Sequence, residues 1–214
     1  MKETDEGDER TDSGGLEGVD DDAPSAEQLA TIRGALEPMR VEPVMTYELD
    51  RPGRAVAREC GSRLAERLST KEWRDANLEQ RRQVAREFDR VIALRLGTQT
   101  PPVEFDHQMD DLGGFDPATR RITLRADLLE SDDPTQLVMT LAHEQRHGWQ
   151  QQVIDGHLDH PDGPSAAERL RAGEATYARD QRNFRRYIRN ELERDGEKFA
   201  YLTFREFVLK QRRA

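Results

Sequence analysis

The chain contains one cysteine, Cys60, among its 214 residues. A single cysteine excludes an internal disulfide framework and a zinc site built from several thiolates. We expect Cys60 to be a buried helix residue. The chain has no run of about 18 apolar residues that would span a membrane and no apolar stretch typical of a cleaved signal peptide. The default expectation is a cytoplasmic protein, with export by a signal-independent route left open.

Positive charge is also scarce. The chain has 33 Lys and Arg residues against 43 Asp and Glu residues, which gives a net charge of −10. An acidic chain does not favour nucleic-acid binding. The imbalance is greatest in residues 1–24, which hold ten acids, two bases and few apolar side chains. This composition predicts a disordered acidic tail that solubilises the protein, or that contacts a partner or a basic helix of its own chain.

Apolar residues recur every four positions in the first half of the chain, as they do on one face of a helix. The spacing predicts helices over 26–36, 55–68 and 73–96, with Gly97 as the stop of the third helix. We expect these helices to form a subdomain over residues 25–97.

The pattern changes after residue 97. Residues 103–105 and 121–124 predict two short strands on either side of a turn at 113–119, and therefore a small antiparallel sheet. An apolar helix opened by Pro134, a long arginine-rich helix and a last helix follow. The order predicts an α+β fold whose second domain covers residues 98–214. The apolar stripe of the arginine-rich helix consists of Leu170, Tyr177, Phe184 and Ile188.

A His-Glu-x-x-His motif is formed by His143, Glu144 and His147. Four residues advance a helix by slightly more than one turn, so both histidines project from one face. Two imidazoles placed in this way can hold one Zn²⁺. Glu144 is then positioned to take a proton from an activated water and deliver it to the leaving group. The motif predicts a zinc-dependent hydrolase with Glu144 as the general base.

A catalytic zinc site needs a third protein ligand and an open position. The metzincin continuation of the motif needs glycine at position 150 and histidine at 153, but the chain has Gln150 and Val153. That class is therefore excluded. The candidates for the third ligand are His157, His160, Glu191 and Glu193.

Residues 143–150, His-Glu-Gln-Arg-His-Gly-Trp-Gln, resemble the HE-x-RH-x-x-Q form of ImmA/IrrE-type peptidases and of metallopeptidase domains in polymorphic toxins. Residues 187–200 resemble their Y…N-P-L-E-x-D-A-x-x-F-A helix, although Glu191 and Gly196 replace the usual Pro and Ala. The resemblance implies a zincin-like fold, a gluzincin-type peptidase acting on a peptide or protein, and one catalytic Zn²⁺. The metal ligands that it implies are His143, His147 and Glu193.

Two further resemblances imply other third ligands. An Asn-Glu-x-x-x-Asp run at the same place is similar to the thermolysin-type helix, which would make Glu191 the ligand and Asp195 its supporting carboxylate. Glu191 and Glu193 lie about 200° apart on a helix, so only one of them faces the metal. His160 follows His147 at a spacing similar to that of SprT-like proteases, whose third ligand is a histidine.

Metal-bound histidines usually donate their second N–H to a carboxylate or a carbonyl group. Asp195 or Glu197 can supply that carboxylate. Tyr187 is either a hydrogen-bond donor to the reaction intermediate or a packing residue. Arg146 and Gln150 match the peptidase pattern, but the sequence indicates no chemical role for them.

A second class of function also fits the sequence. Four arginines stand close together in the predicted arginine-rich helix, and guanidinium groups favour planar contacts with carboxylates and phosphates. They predict a basic face for an acidic partner or for the acidic tail. The alternative to an enzyme is therefore a non-catalytic interaction protein. These arginines are Arg182, Arg185, Arg186 and Arg189.

Overall fold

The computed structural model of the protein describes residues 51–99, 102–180 and 183–211. The expected acidic tail, the helix over 26–36 and Arg182 lie outside these ranges. The described chain is mostly helical with one small sheet, which confirms the α+β class. None of its helices combines the length and the apolar character needed to cross a membrane. The elements are α1 (Arg51–Arg67), α2 (Thr70–Asp75), α3 (Leu78–Leu96), β1 (Glu104–Asp106), β2 (Gly113–Asp116), β3 (Arg121–Arg125), a 3₁₀ turn (Ala126–Leu129), α4 (Thr135–Ile154), α5 (Pro164–Asp180), α6 (Phe184–Tyr187) and α7 (Glu191–Gln211).

The prediction of one helix over 73–96 is wrong, because a new helix begins at residue 78. The side chain of Asn77 accepts a hydrogen bond from the Gln80 backbone N–H at 3.0 Å, and the Gln80 side chain accepts one from the Asn77 N–H at 2.8 Å. This reciprocal capping satisfies the free N–H groups at the start of a helix. Ser69 and Glu72 cap α2 in the same way.

The predicted arginine-rich helix is also divided in two. The described part of α5 ends at Asp180, and α6 begins at Phe184. Asn183 precedes α6, and its side-chain oxygen accepts a hydrogen bond from the Arg186 N–H at 3.2 Å. Asparagine is favoured at such a position because it satisfies a free N–H of the first helical turn. The predicted apolar stripe does not extend across this break, and Ile188 is exposed.

β3 is the central strand of the sheet, with β2 antiparallel on one side and β1 parallel on the other. The prediction of an antiparallel sheet is therefore right for the β2–β3 pair and wrong for the β1–β3 pair. Residues 113–116 were predicted to lie in a turn, but they form β2, and the turn occupies residues 117–120.

Gly113 lies where β2 packs against α4. A Cβ atom at this position would lie 2.5 Å from Cγ2 of Thr140 and 3.3 Å from Cγ of Glu144. Only glycine allows the strand to approach the helix so closely. The glycine that suggested a turn therefore places β2 beside Glu144.

One hydrophobic core joins the helices on both sides of residue 97. It includes Leu64 of α1, Phe88 of α3, Leu141 of α4 and Phe199 of α7. The predicted division of the chain into two domains at this residue stays a prediction. The shared core nevertheless means that α1 and α3 support the helices that carry the motif.

The packing of α1 against α7 depends on small side chains. A Cβ atom on Gly61 would lie 2.1 Å from the backbone oxygen of Thr203, so the two helices are nearly in backbone contact. The neighbouring Cys60 is fully buried, as predicted. Burial raises the pKa of its thiol to about 12.

A buried polar bridge fixes α4 to α3. Oδ1 of Asp89 accepts a hydrogen bond from Nε2 of Gln145 at 2.5 Å, and its Oδ2 accepts one from the Val103 N–H at 3.2 Å. The oxygen of the Gln145 amide accepts a further bond from the Thr98 hydroxyl. Burial raises the pKa of Asp89, and its hydrogen bonds with Gln145 and Val103 partly oppose that shift. Because Gln145 lies inside the motif, the bridge holds the helical turn that carries the motif.

We expect Asp89→Ala to destabilise the fold, because it removes the carboxylate that accepts hydrogen bonds from two buried donors, the Gln145 amide and the Val103 N–H. A buried donor that loses its acceptor costs about 1–3 kcal/mol, so the free energy of unfolding should fall by about 2–4 kcal/mol in a urea titration. Glu79→Ala, at the exposed start of α3, is the control and should change it by about 1 kcal/mol or less. Equal stabilities of the two variants would contradict the role of the bridge.

Candidate metal centre

Two helices bring His143, His147 and Glu193 into one buried cluster. His143 and His147 lie one turn apart on α4, and Glu193 lies in the first turn of α7. Nε2 of His143 is 3.4 Å from Oε2 of Glu193, and Nε2 of His147 is 3.3 Å from Oε1. One ligand atom of each side chain lies within 4.8 Å of the others. In the described part of the chain, this is the one group of three His, Cys, Asp or Glu side chains spaced for a metal ion.

The spacing of these atoms suits a tetrahedral zinc ion. Ligand atoms at zinc–ligand distances of about 2.0–2.1 Å lie roughly 3.3–3.4 Å from one another in a tetrahedron. Each histidine lies at this distance from one oxygen of Glu193, His143 from Oε2 and His147 from Oε1. The two histidine Nε2 atoms are 2.8 Å apart, so they would separate by about half an ångström around zinc. Two imidazoles and one carboxylate form a known ligand set of catalytic zinc sites.

Glu193 places a negative charge in the buried cluster. Burial raises the pKa of Glu193, but hydrogen bonds from His143 and His147 outweigh burial and hold the pKa well below its ordinary value. Burial likewise lowers the pKa of His147, but the hydrogen bond and the charge of Glu193 raise it to about 9. Glu193 is therefore ionised at neutral pH, and its charge favours a cation between the three side chains.

A short chain of hydrogen bonds orients His147. Nε2 of Gln150 donates to the backbone oxygen of Leu192 at 2.9 Å and to Oδ2 of Asp195 at 2.7 Å. The amide oxygen of Gln150 therefore faces His147, whose Nδ1–H donates to it at 2.7 Å. This contact sets the imidazole tautomer and leaves Nε2 available to a metal. Gln150, for which the sequence indicated no role, thus positions a predicted ligand.

Arg146, the other residue without a predicted role, holds Asp195. Its Nε donates to Oδ2 at 2.6 Å and its Nη2 to Oδ1 at 3.1 Å, and both side chains are fully buried. The guanidinium carbon lies 3.6 Å from the centroid of the Trp149 ring. Pairing and stacking are the conditions under which a buried guanidinium is tolerated. Asp195 therefore supports His147 indirectly, through Gln150.

The second predicted supporting carboxylate lies near the other histidine. Oε1 of Glu197 is 3.9 Å from Nδ1 of His143, within ion-pair range but too far for a hydrogen bond. The preceding residue, Gly196, lies against the His143 ring, and a Cβ atom there would be 3.0 Å from Cε1. Glycine costs about 1 kcal/mol relative to alanine inside a helix. At this position, it lets α7 approach the histidine.

Tyr177 on α5 is a site residue that the sequence analysis missed. Its hydroxyl group donates to Oε1 of Glu193 at 2.5 Å. Burial and the charge of Glu193 raise the pKa of Tyr177, so the phenol stays a neutral donor. Tyr187, considered as a hydrogen-bond donor, packs against Tyr177 with the ring centroids 6.0 Å apart. The sequence placed Tyr177 only in an apolar stripe, because no local pattern reveals a contact between two helices.

The other candidates for the third ligand lie outside the cluster. An oxygen of Glu191 is 3.5 Å from Nε of Arg169, so this side chain points towards α5. His160 packs edge-to-face on Trp149, with the ring centroids 5.3 Å apart. His157 is exposed. Among the predicted candidates, only Glu193 meets the two motif histidines.

A small cavity of about 50 Å³ lies next to the cluster, on the side of His143. Glu144 is buried and lines this cavity together with His143. Most of the wall surface is apolar, with Leu112, Met139 and Ala200 as its apolar residues. A group bound there would therefore contact a predicted metal ligand and the predicted general base. The lining residues are Leu112, Gln136, Met139, Thr140, His143, Glu144, Glu197 and Ala200.

Comparison of the chain with protein-family models, with curated proteins and with solved structures finds no match in any of the three. The interpretation of the cluster therefore depends on the chemistry and the spacing of its own side chains. The resemblance to ImmA/IrrE-type peptidases stays a prediction.

Glu193→Ala should remove zinc from the purified protein. We expect a loss of zinc affinity greater than about 100-fold, because loss of an outer hydrogen-bond partner alone costs 10–100-fold. Zinc per chain and competition with a chelator measure this change. Glu191→Ala is the matched control, two residues away on the same helix, and should keep its zinc. Zinc loss in His160→Ala together with zinc retention in Glu193→Ala would contradict the assignment.

Gln150→Ala should weaken zinc binding without removing a ligand. The variant frees the His147 ring to rotate, and we expect a loss of about 10–100-fold in affinity. Gln151→Ala changes the same side chain one position further, outside the network around His147. Its zinc affinity should equal that of the parent. An equal loss in both variants would mean that helix destabilisation, and not the orientation of His147, is responsible.

Proposed function

We propose that the protein is a zinc-dependent hydrolase, and specifically a gluzincin-type metallopeptidase. The observation that carries this proposal is the buried cluster of His143, His147 and Glu193 next to Glu144. Three protein ligands would leave one coordination position of a bound zinc open, as in catalytic zinc sites. A cavity beside the cluster gives a substrate access to that position.

His143, His147 and Glu193 would hold the zinc ion, which would supply a Lewis acid to polarise a carbonyl group and activate water. Glu144 is the general base. Its carboxylate takes the proton of the attacking water and delivers it to the leaving nitrogen. Gln150 keeps His147 in the tautomer that exposes Nε2. Tyr177 occupies one oxygen of Glu193 with a hydrogen bond and thereby restricts the direction of this carboxylate.

The free edge of the sheet supports a peptide substrate. Within the described sheet, β2 pairs only with β3, so its outer edge offers backbone donors and acceptors to an extended chain. Gly113 brings the start of this strand against Glu144. A peptide that pairs with β2 would pass the general base, and an apolar side chain could enter the adjacent cavity. These features favour a peptide or protein substrate.

The SprT-like alternative finds no support in the position of His160. The interaction-protein alternative has one specific observation in its favour, the exposed arginines around α6. These arginines do not account for the buried cluster, whereas a hydrolase does. The cytoplasmic location stays a prediction.

Glu144→Gln should abolish hydrolysis but retain zinc. The substitution keeps the size of the side chain and removes its basicity, and general-base catalysis contributes about 10²–10⁴-fold. We expect a loss of at least about 100-fold with a zinc-loaded protein and a mixed peptide library, followed by mass spectrometry.

Glu197→Gln is the control, because it changes another carboxylate in the same cavity. We expect it to stay within about 10-fold of the parent. Full activity in Glu144→Gln would contradict the role of Glu144. A zinc-loaded parent that cleaves no peptide would contradict the peptidase assignment while leaving the metal centre intact.

A further inference from the structure

Negative charge is concentrated ahead of the first described helix. Residues 1–24 hold ten acids and two bases, whereas residues 51–214 hold 28 acids and 29 bases. Residues 51–214, which include all the described helices and strands, therefore carry almost no net charge. Most of the net charge of −10 belongs to a single segment at one end of the sequence.

A group of positively charged side chains lies around α6. Arg185, Arg186 and Arg189 are all exposed, and residues 181–190 include no acid. These three residues, the α6 arginine face, form no ion pair with a carboxylate in the described ranges. On α5, by contrast, Arg169 pairs with Glu191 and Arg171 with Glu168. The α6 arginine face thus presents guanidinium groups that the described fold leaves for another acidic group.

The α6 arginine face lies beside the metal cluster. Tyr187, between Arg186 and Arg189 in the chain, packs on Tyr177. Tyr177 donates to Glu193, and its ring centroid is 6.4 Å from that of His147. Only two ring contacts therefore separate α6 from a predicted metal ligand.

We propose that the acidic residues 1–24 dock on the α6 arginine face of their own chain. Guanidinium groups bind carboxylates through paired, charge-assisted hydrogen bonds, and ten carboxylates are available in the segment. The exposed Ile188 adds an apolar contact within the same surface. Docking covers the side of the metal cluster that carries His147.

The chain is long enough for this contact. Residues 25–50 separate the acidic segment from α1, and 26 residues span up to about 85–90 Å when extended. A domain of this size is roughly 40 Å across. Exposed ion pairs are individually weak, but a tether raises the local concentration to the mM range. We therefore expect the segment to be docked in only a fraction of the molecules, and salt to release it from the arginines.

A spin label on the full-length chain tests the proposal without metal or substrate. Ser13→Cys places a reactive thiol in the middle of the acidic segment. Cys60 is buried and does not compete for a thiol-directed nitroxide. Amide NMR signals that broaden in the labelled protein identify the surface that the segment visits. We expect the signals of residues 185–189 to lose at least about half of their intensity at low salt and to recover at about 0.5 M salt, where screening is strong.

Two sets of charge reversals make the test specific. Arg185→Glu, Arg186→Glu and Arg189→Glu together should abolish the broadening on α6. Arg58→Glu, Arg74→Glu and Arg86→Glu together change the net charge equally at exposed positions on α1, α2 and α3, and should leave it intact. The salt titration of the parent gives an independent result if the first triple variant fails to fold.

Several outcomes would overturn the proposal. Broadening that is absent, that lies elsewhere, or that persists on α6 at high salt would exclude docking by charge on this face. Broadening of an unlabelled, isotope-enriched chain by a labelled one would show that the segment binds a second copy instead. None of these results bears on zinc binding or hydrolysis, so the failure of the docking model and the failure of the proposed function can be distinguished.

Discussion

The buried pair of Arg146 and Asp195 is the interaction on which the candidate site depends. It joins α4, which carries both histidines, to α7, which carries Glu193, and both of its side chains are fully buried. A buried ion pair is costly to form, but removing one partner leaves an unpaired charge that costs more. The pair therefore allows little change in the register between the two helices. Gln150 donates a hydrogen bond to the same Asp195 carboxylate, and its amide oxygen orients the His147 ring.

Three glycines allow the surrounding elements to approach one another. Gly61 brings α1 against α7, Gly196 brings α7 against His143, and Gly113 brings β2 against α4. At each position a Cβ atom would lie 3.0 Å or less from a neighbouring atom. Two of the three contacts bring backbone directly to the motif. The site is thus enclosed by close backbone approach as much as by large side chains, which leaves a small cavity beside Glu144.

The chemistry of the cluster and its surroundings is consistent with the proposed hydrolase. A buried carboxylate that remains ionised favours a cation. Two imidazoles can supply nitrogen ligands once a metal displaces the proton of His147. The carboxylate of Glu144 lies next to them without being part of the triad. The edge strand offers a way to hold an extended peptide. The α6 arginine face adjoins Tyr187 and Tyr177, next to His147, whereas the cavity is lined by His143, so the two proposed interactions use different surfaces of one site.

Local spacing along the chain was enough to predict several features of the structure. Helical periodicity placed His143 and His147 on one face of a helix, and the burial of Cys60 and the α+β class followed from apolar patterning. Such features can be predicted from residues close in sequence, because the geometry of the helix or strand fixes where those residues lie relative to one another. The resemblance of residues 187–200 to a known helix also led to Glu193, which the structure brings to the histidines. Capping at Asn77 and Asn183 divided helices that the apolar spacing alone had joined.

Contacts between residues that are distant in the chain could not be predicted from local spacing. The parallel pairing of β1, the contact of Tyr177 with Glu193, and the roles of Arg146 and Gln150 all join residues from different elements. No local pattern encodes these contacts, because they depend on how close two helices lie and on which faces they present. The glycines illustrate the same limit. Gly113 was predicted to lie in a turn, and Gly196 was only a departure from the peptidase pattern. The neighbouring element shows that each of them lies at a close contact.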